Sequence, residues 1–156
     1  MRIAQSRIFI RMSSRALVAM LVVICGVAAA NSGPRTDPSG VWLTQAGDAK
    51  VLVRQCGAAI CGKIVWLKQP IDTTTGQPQK DDKNRDLSLR ARPIVGVQLF
   101  IDMRPSATNS WSGRIYNADD GHTYASTVTL LDAGRLEVKG CSGTLCGGET
   151  WTKVAR

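Results

Sequence analysis

The sequence predicts an all-β protein, a single antiparallel up-and-down β-barrel of about eight strands with one long loop. Three observations carry that prediction. Segments of alternating β-branched or aromatic residues recur at about 40–45, 49–56, 61–67, 94–103, 110–117, 122–131, 134–141 and 146–155. Turn residues separate most of them, at Gly47-Asp48, Pro105-Ser106, Asp119-Asp120-Gly121 and Asp132-Ala133-Gly134. Beyond residue 30 no segment carries the apolar period of a long amphipathic helix. Many short strands on short connections suit a barrel or a sandwich.

The segment ahead of the first strand has a different character. Arg2, Arg7, Arg11 and Arg15 form a basic leader without acidic residues, and an apolar run from Ala16 follows to Ala28-Ala29-Ala30. Basic, apolar, then small is the order of a secretory signal peptide. The run is about 15 residues, shorter than the roughly 20 that span a bilayer. Met12 is an alternative start, and Cys25 is a poor lipid-anchor site because Ile24 stands where a small residue is needed. Cleavage after Ala30 is expected, leaving residues 31–156 as one β-barrel domain in the periplasm or outside the cell.

Four of the 20 basic residues belong to that leader, so a formal charge of +8 falls to +4 in the mature segment. Those that remain are mixed with acidic residues and lack interleaved aromatics, which does not suit nucleic acid. Export places the four other cysteines in an oxidising compartment. Their even number is the arithmetic of paired disulfides.

The first strand opens on Gly40-Val41-Trp42. A Gly-x-Trp there resembles the signature of lipocalin-type barrels. That likeness implies a Trp plugging the closed end with a basic side chain over it, here Lys153 or Arg156.

The next two segments form a cysteine module. Cys56-Gly-Ala-Ala-Ile-Cys61-Gly62 with Trp66 recurs as Cys141-Ser-Gly-Thr-Leu-Cys146-Gly147 with Trp151, 85 residues later. If each cysteine faces its partner across a hairpin, Val51 opposes Trp66 and Leu136 opposes Trp151. Side-chain alternation then puts both tryptophans in the core and both disulfides on the outer face. Each such small loop contributes roughly 2 kcal/mol in the chain-entropy model. Bridges between the modules, a zinc site and a redox pair are the alternatives. Four intervening residues fit zinc ribbons and thioredoxin-like pairs poorly, since those use two.

Residues 68–92 break the strand rhythm. They are polar, carry Pro70 and Pro78, and are too long for a hairpin connection. They form either a functional lid or an ordered crossover closing one barrel end, with Asp86 capping a helical turn.

Chemistry-bearing patterns are sparse beyond this point. His122 is the sole histidine, beside Gly121 and without a nucleophile elbow. Asp81, Asp82, Asp86, Asp119 and Asp120 lie where turns demand aspartate. Tyr116 and Tyr124 bracket a turn. There is no Gly-rich phosphate loop and no His-rich metal cluster, so no catalytic residue, metal or cofactor is assigned.

Gly40-Val-Trp42, Cys61-Gly-Lys-Ile-Val-Trp66, Asp82-Lys-Asn84, Arg92-Pro93-Ile-Val-Gly96, Trp111, Ile115-Tyr116-Asn-Ala-Asp-Asp-Gly121-His-Thr-Tyr124, Leu136-Glu-Val-Lys-Gly140-Cys141 and Trp151-Thr-Lys-Val154 occur in that order. Together they resemble the bacterial exported family called domain of unknown function 2147, over nearly all of the mature segment. Ala118 stands where that family usually has proline. The resemblance implies a lipocalin-like periplasmic barrel and no established activity. Asp82, Asn84, Arg90 and Arg92 are the matching polar positions, suited to anchoring the long loop or to lining a pocket mouth.

The expected function is binding of a small, partly apolar or amphipathic molecule inside the barrel. Trp42, Trp66, Trp111 and Trp151 would line or close the cavity with Tyr116 and Tyr124, and Arg90 or Arg92 would receive a polar end. The alternative is a cell-envelope interaction or structural module acting through its loops. A hydrolase built on His122 and the loop aspartates is a third reading. Ligand identity and oligomeric state are left open.

Overall fold

The computed structural model describes residues 37–155. The leader, its cleavage point, Cys25 and Arg156 lie outside the described residues. Eight strands run in order: β1 Gly40–Leu43, β2 Ala49–Cys56, β3 Ala59–Leu67, β4 Phe100–Ala107, β5 Ser110–Asn117, β6 His122–Asp132, β7 Arg135–Ser142 and β8 Leu145–Lys153. Each pairs antiparallel with the next, and β8 returns to β1 through Trp42–Lys153 and Leu43–Thr152, closing the barrel. The predicted fold class is the observed one.

An up-and-down order puts alternate connections at opposite ends. The β2–β3, β4–β5 and β6–β7 turns share the closed end with the start of β1. The β1–β2, β5–β6 and β7–β8 loops share the other end with the long β3–β4 crossover. The closed half is filled. Trp42, Val51, Ile60, Met103, Val128 and Leu136 are each at most 1 % exposed, and this continuous burial supplies most of the stabilisation. Trp42 donates from its indole N–H to the Pro38 carbonyl at 2.9 Å, and Lys153 Nζ lies 5.2 Å from its ring centroid. Gly40 makes this possible. It adopts φ +148°, and a Cβ there would fall 2.6 Å from Lys153 Cε.

Both modules close their own disulfides, Cys56–Cys61 and Cys141–Cys146. Their registers differ. In β7–β8, Cys141 opposes Cys146 and Leu136 opposes Trp151, as expected. In β2–β3 the two-residue turn, Gly57-Ala58, falls one position earlier in the module than Gly143-Thr144 does in β7–β8. Cys56 opposes Ala59 and Cys61 opposes Arg54, so the disulfide joins diagonal positions on one face. The earlier turn gives Ile60 inward parity and brings it into the core, where it is 1 % exposed.

The expected place of Trp66 requires correction. Val51 opposes Ile64 but Lys50 opposes Trp66, so Val65 is an extra residue in the ladder. A bulge of this kind reverses side-chain parity beyond it. Trp66 therefore lies on the outer surface, 39 % exposed, with Lys50 Nζ 4.7 Å from its ring centroid.

The fourth strand is also displaced. It was expected at 94–103 with a turn at Pro105-Ser106, but runs Phe100–Ala107, and Pro105 pairs with Trp111. Register shifts lie on both sides of Arg104-Pro105, and irregular pairing tolerates a residue without an N–H. Residues 94–99 instead reach β3 through single bonds such as Ile64 N–H to Val97 O at 3.0 Å and Leu99 N–H to Gly62 O at 2.8 Å.

Candidate functional site

Burial stops halfway along the barrel. A cavity of about 790 Å³ occupies the open half, walled by Ile64, Leu67, Leu99, Ile115, Val138 and Trp151. That volume lies within the roughly 300–1,000 Å³ of small-molecule sites. Trp151 is backed by Phe100, whose ring stacks on it at 5.6 Å.

The duplicated module explains the hollow. Gly62 and Gly147 are the same position of the repeat, and both have the inward parity of their strands. A Cβ at Gly62 would meet Phe100 Cδ2 at 2.6 Å, so a ring fills that space. At Gly147 nothing lies within 4 Å, and its register partner Gly140 meets only Ile115 and Tyr124, at 3.6 Å. Two facing glycines therefore leave the β7–β8 wall bare where they line the cavity. The rim carries mixed charge, from Lys68, Lys80 and Lys83 against Asp48, Asp82 and Asp119.

The crossover that borders this mouth is an ordered structure. It carries one 3-10 turn, Leu87–Leu89, whose N-cap is Asp86, as the capping pattern predicted. Residues 79–81 pair back on 92–94, with Asp81 N–H to Arg92 O at 3.0 Å and Ile94 N–H to Gln79 O at 2.9 Å.

Its anchor is Asp81, which is 0 % exposed. Asp81 Oδ1 accepts from the Tyr116 hydroxyl at 2.5 Å, and Oδ2 accepts from Asn84 Nδ2 at 2.7 Å. Arg92 completes the set, donating to Oδ2 from Nε at 2.9 Å and from Nη2 at 2.7 Å. Arg90 Nε donates to the Asn84 carbonyl at 2.7 Å. Gly121 lets the crossover lie down, since a Cβ there would fall 1.8 Å from Lys83 O.

Tyr116 has the parity opposite to Trp111, Gly113 and Ile115, and the crossover covers it. Burial, and then the hydrogen bond to anionic Asp81, push its phenol up to about 12. A raised folded pKa contributes stability that is complete below the unfolded value of 10 and disappears as pH rises through the folded one. Unfolding free energy is expected to decline between pH 10 and about 12, and Tyr116→Phe should flatten that limb. Parallel wild-type and variant denaturation curves across this window would refute the assignment.

On the neighbouring turn, Tyr124 donates to Asp120 Oδ2 at 2.7 Å. Burial raises the Asp120 carboxyl, but hydrogen bonds from the Tyr124 hydroxyl and the His122 amide outweigh it and hold it below the ordinary value. The His122 ring is engaged at both nitrogens, with Nδ1 2.8 Å from Asp120 O and Nε2 against Arg85 Nη2.

Of the eight residues expected to bind ligand, Trp151, Tyr116 and Tyr124 border the cavity. Trp42 and Trp111 belong to the filled half, and Trp66 is outside. Arg90 and Arg92 are turned to the crossover's own anchoring, with Asn84, while Asp82 sits at the rim. Sequence reasoning missed two residues. Asp81 is indistinguishable from its neighbour Asp82 in sequence. Glu149 has inward parity opposite Val138, a signal that was present in the ladder but went unused. Among the described residues, no group of three or more His, Cys, Asp or Glu side chains is placed to hold a metal, and no helix is long and apolar enough to cross a membrane.

A closed eight-stranded meander, plugged at one end by a Gly-x-Trp tryptophan under a lysine and hollow at the other, defines a lipocalin-like barrel. The chain belongs to the family described as "Uncharacterized protein conserved in bacteria (DUF2147)", which it matches over residues 40–153. Among solved structures it is similar to one from Helicobacter pylori titled "Protein HP1028 from the human pathogen Helicobacter pylori belongs to the lipocalin family". The TM-score is 0.62 at 23 % identity, over 75 % of this chain and 82 % of the other. No curated protein matches.

Proposed function

We propose that this protein is an exported, periplasmic barrel that binds one small, partly apolar molecule in its hollow half. The observation that carries this is the cavity of about 790 Å³, with an apolar wall and a polar, charged rim. Eight-stranded barrels either fill their interior with side chains or hold one small ligand. Here the closed half does the first and the open half is shaped for the second. Two disulfides and membership of a bacterial family are compatible with export. The alternative, an interaction module acting through its crossover, is favoured by the exposed Leu87, at 72 %, Ile71, at 47 %, and Val95, at 43 %.

Native mass spectrometry of protein taken from the periplasm without denaturation should show a retained small-molecule mass. A bare wild-type mass, together with no uptake of apolar probes, would overturn the reading. Gly140→Leu should fill the cavity from its wall and weaken binding by at least about tenfold while the barrel stays folded. Unchanged affinity in a folded variant would place the ligand elsewhere.

A further inference from the structure

We propose that the bound molecule carries a hydrogen-bond-donating cation, an amine, at the end that enters the barrel, and that Glu149 receives it. This rests on the cavity being the binding site, as proposed above. Glu149 stands on β8 directly opposite Val138, and both line the cavity. It is thus an acidic group on the inner strand wall, distinct from the mixed charges of the rim.

The carboxylate is held in place. Its Oε1 accepts from the Trp151 indole N–H at 2.5 Å, and no other hydrogen bond or ion pair engages it among the described residues. Oε2 therefore keeps its acceptor capacity on a residue that lines the cavity. The inward basic side chain at the other extreme, Lys153, is committed to the Trp42 ring at the closed end. Lys83, at the rim, already donates to the Asp119 carbonyl at 2.8 Å.

A second polar group lies on β6, behind the cavity-lining Gly140. Ser126 is 6 % exposed and its hydroxyl has no partner. Its register partners on either side are glycines, Gly113 and Gly140, so neither neighbouring strand puts a side chain across it. Gly140 lines the cavity. A carboxylate acceptor on the cavity wall suits a protonated amine, which offers several donors and the opposite charge. An anionic end group would meet Glu149 as a like charge in a partly desolvated site.

The test compares decylamine, decanol and decanoate by isothermal titration calorimetry, below their aggregation concentrations. Decylamine should bind about tenfold or more tightly than either of the others. Glu149→Gln retains an oxygen for the Trp151 indole, so it should lose the amine preference and keep decanol affinity. Equal binding of the three, a preference for decanoate, or an amine preference that survives in Glu149→Gln would overturn the amine assignment and leave the cavity reading standing. Failure of all three probes on the wild-type protein would overturn the cavity reading, and this inference with it. If Glu149→Gln does not fold, the wild-type ranking decides.

Discussion

Asp81→Ala is expected to destabilise the protein by about 3 kcal/mol and to free the crossover from the barrel wall. Asp81 is the point where the Tyr116 hydroxyl, the Asn84 amide and the Arg92 guanidinium converge, at 2.5 to 2.9 Å. Removing the acceptor leaves buried donors without partners, and that penalty exceeds the net worth of the bonds themselves. The position of Arg92 at the surface, with its side chain 37 % exposed, lets water recover part of the loss. Urea denaturation gives the magnitude. Hydrogen exchange and limited proteolysis should localise the opening to residues 68–99, with strand amides on β6 and β7 still protected. A loss below about 1 kcal/mol, or opening spread evenly over the barrel, would show that Asp81 does not hold the crossover. Asp81→Asn, which keeps an acceptor for Tyr116 but not the charge, should fall between.

Trp42→Ala is expected to cost about 4 kcal/mol, the usual range for deleting a buried large aromatic being 3–5. It removes the plug of the closed half, its indole bond to Pro38 and the surface on which Lys153 rests. The melting temperature should fall by roughly 15 °C. Trp42→Phe keeps most of the ring and should lose only about 1 kcal/mol for the missing N–H. Ligand affinity should change little in either folded variant, because Trp42 lies in the filled half. A large loss of affinity in Trp42→Phe would mean that the cavity reaches the closed end.

Much of this architecture is readable in the chain. Most strand positions, most short turns and the Gly-x-Trp plug are local patterns that survive in the structure, but the strand expected at 94–103 and the turn at Pro105-Ser106 do not. The alternation Arg135-Leu136-Glu137-Val138 fixes its own inward face, and the second cysteine hairpin sits in the register its spacing implies. The crossover was legible as an interruption, and Asp86 as its cap. Less legible was whether each motif kept its phase. Val65 is one more apolar residue in an apolar strand, yet as the extra member of a bulge it turns Trp66 outward. Pro105 looks like a turn until the bulges around it make it harmless within β4.

The candidate site was harder still to see. Its walls come from strands separated by tens of residues, and its decisive feature is missing side chains at Gly140 and Gly147. A glycine in a sequence reports a small residue, not whether a neighbour fills the space. Gly62 and Gly147 are identical in the repeat, and Phe100 occupies one and nothing the other. The choice between Asp81 and Asp82 as the buried acid likewise depends on where Tyr116 lies.

The sequence by itself determined about eight strands on short connections, two like-spaced cysteine pairs and a crossover that breaks the rhythm, because alternation, turn chemistry and short-range pairing act between residues close in the chain. The tertiary structure alone decided that the two hairpins lie at opposite ends of the barrel, that Trp66 faces out where Trp151 faces in, that Asp81 ties down the crossover, and that half of the interior is hollow with Glu149 on its wall. Those outcomes depend on ladder register and on which distant side chain fills a given space, and both are set only when the barrel closes.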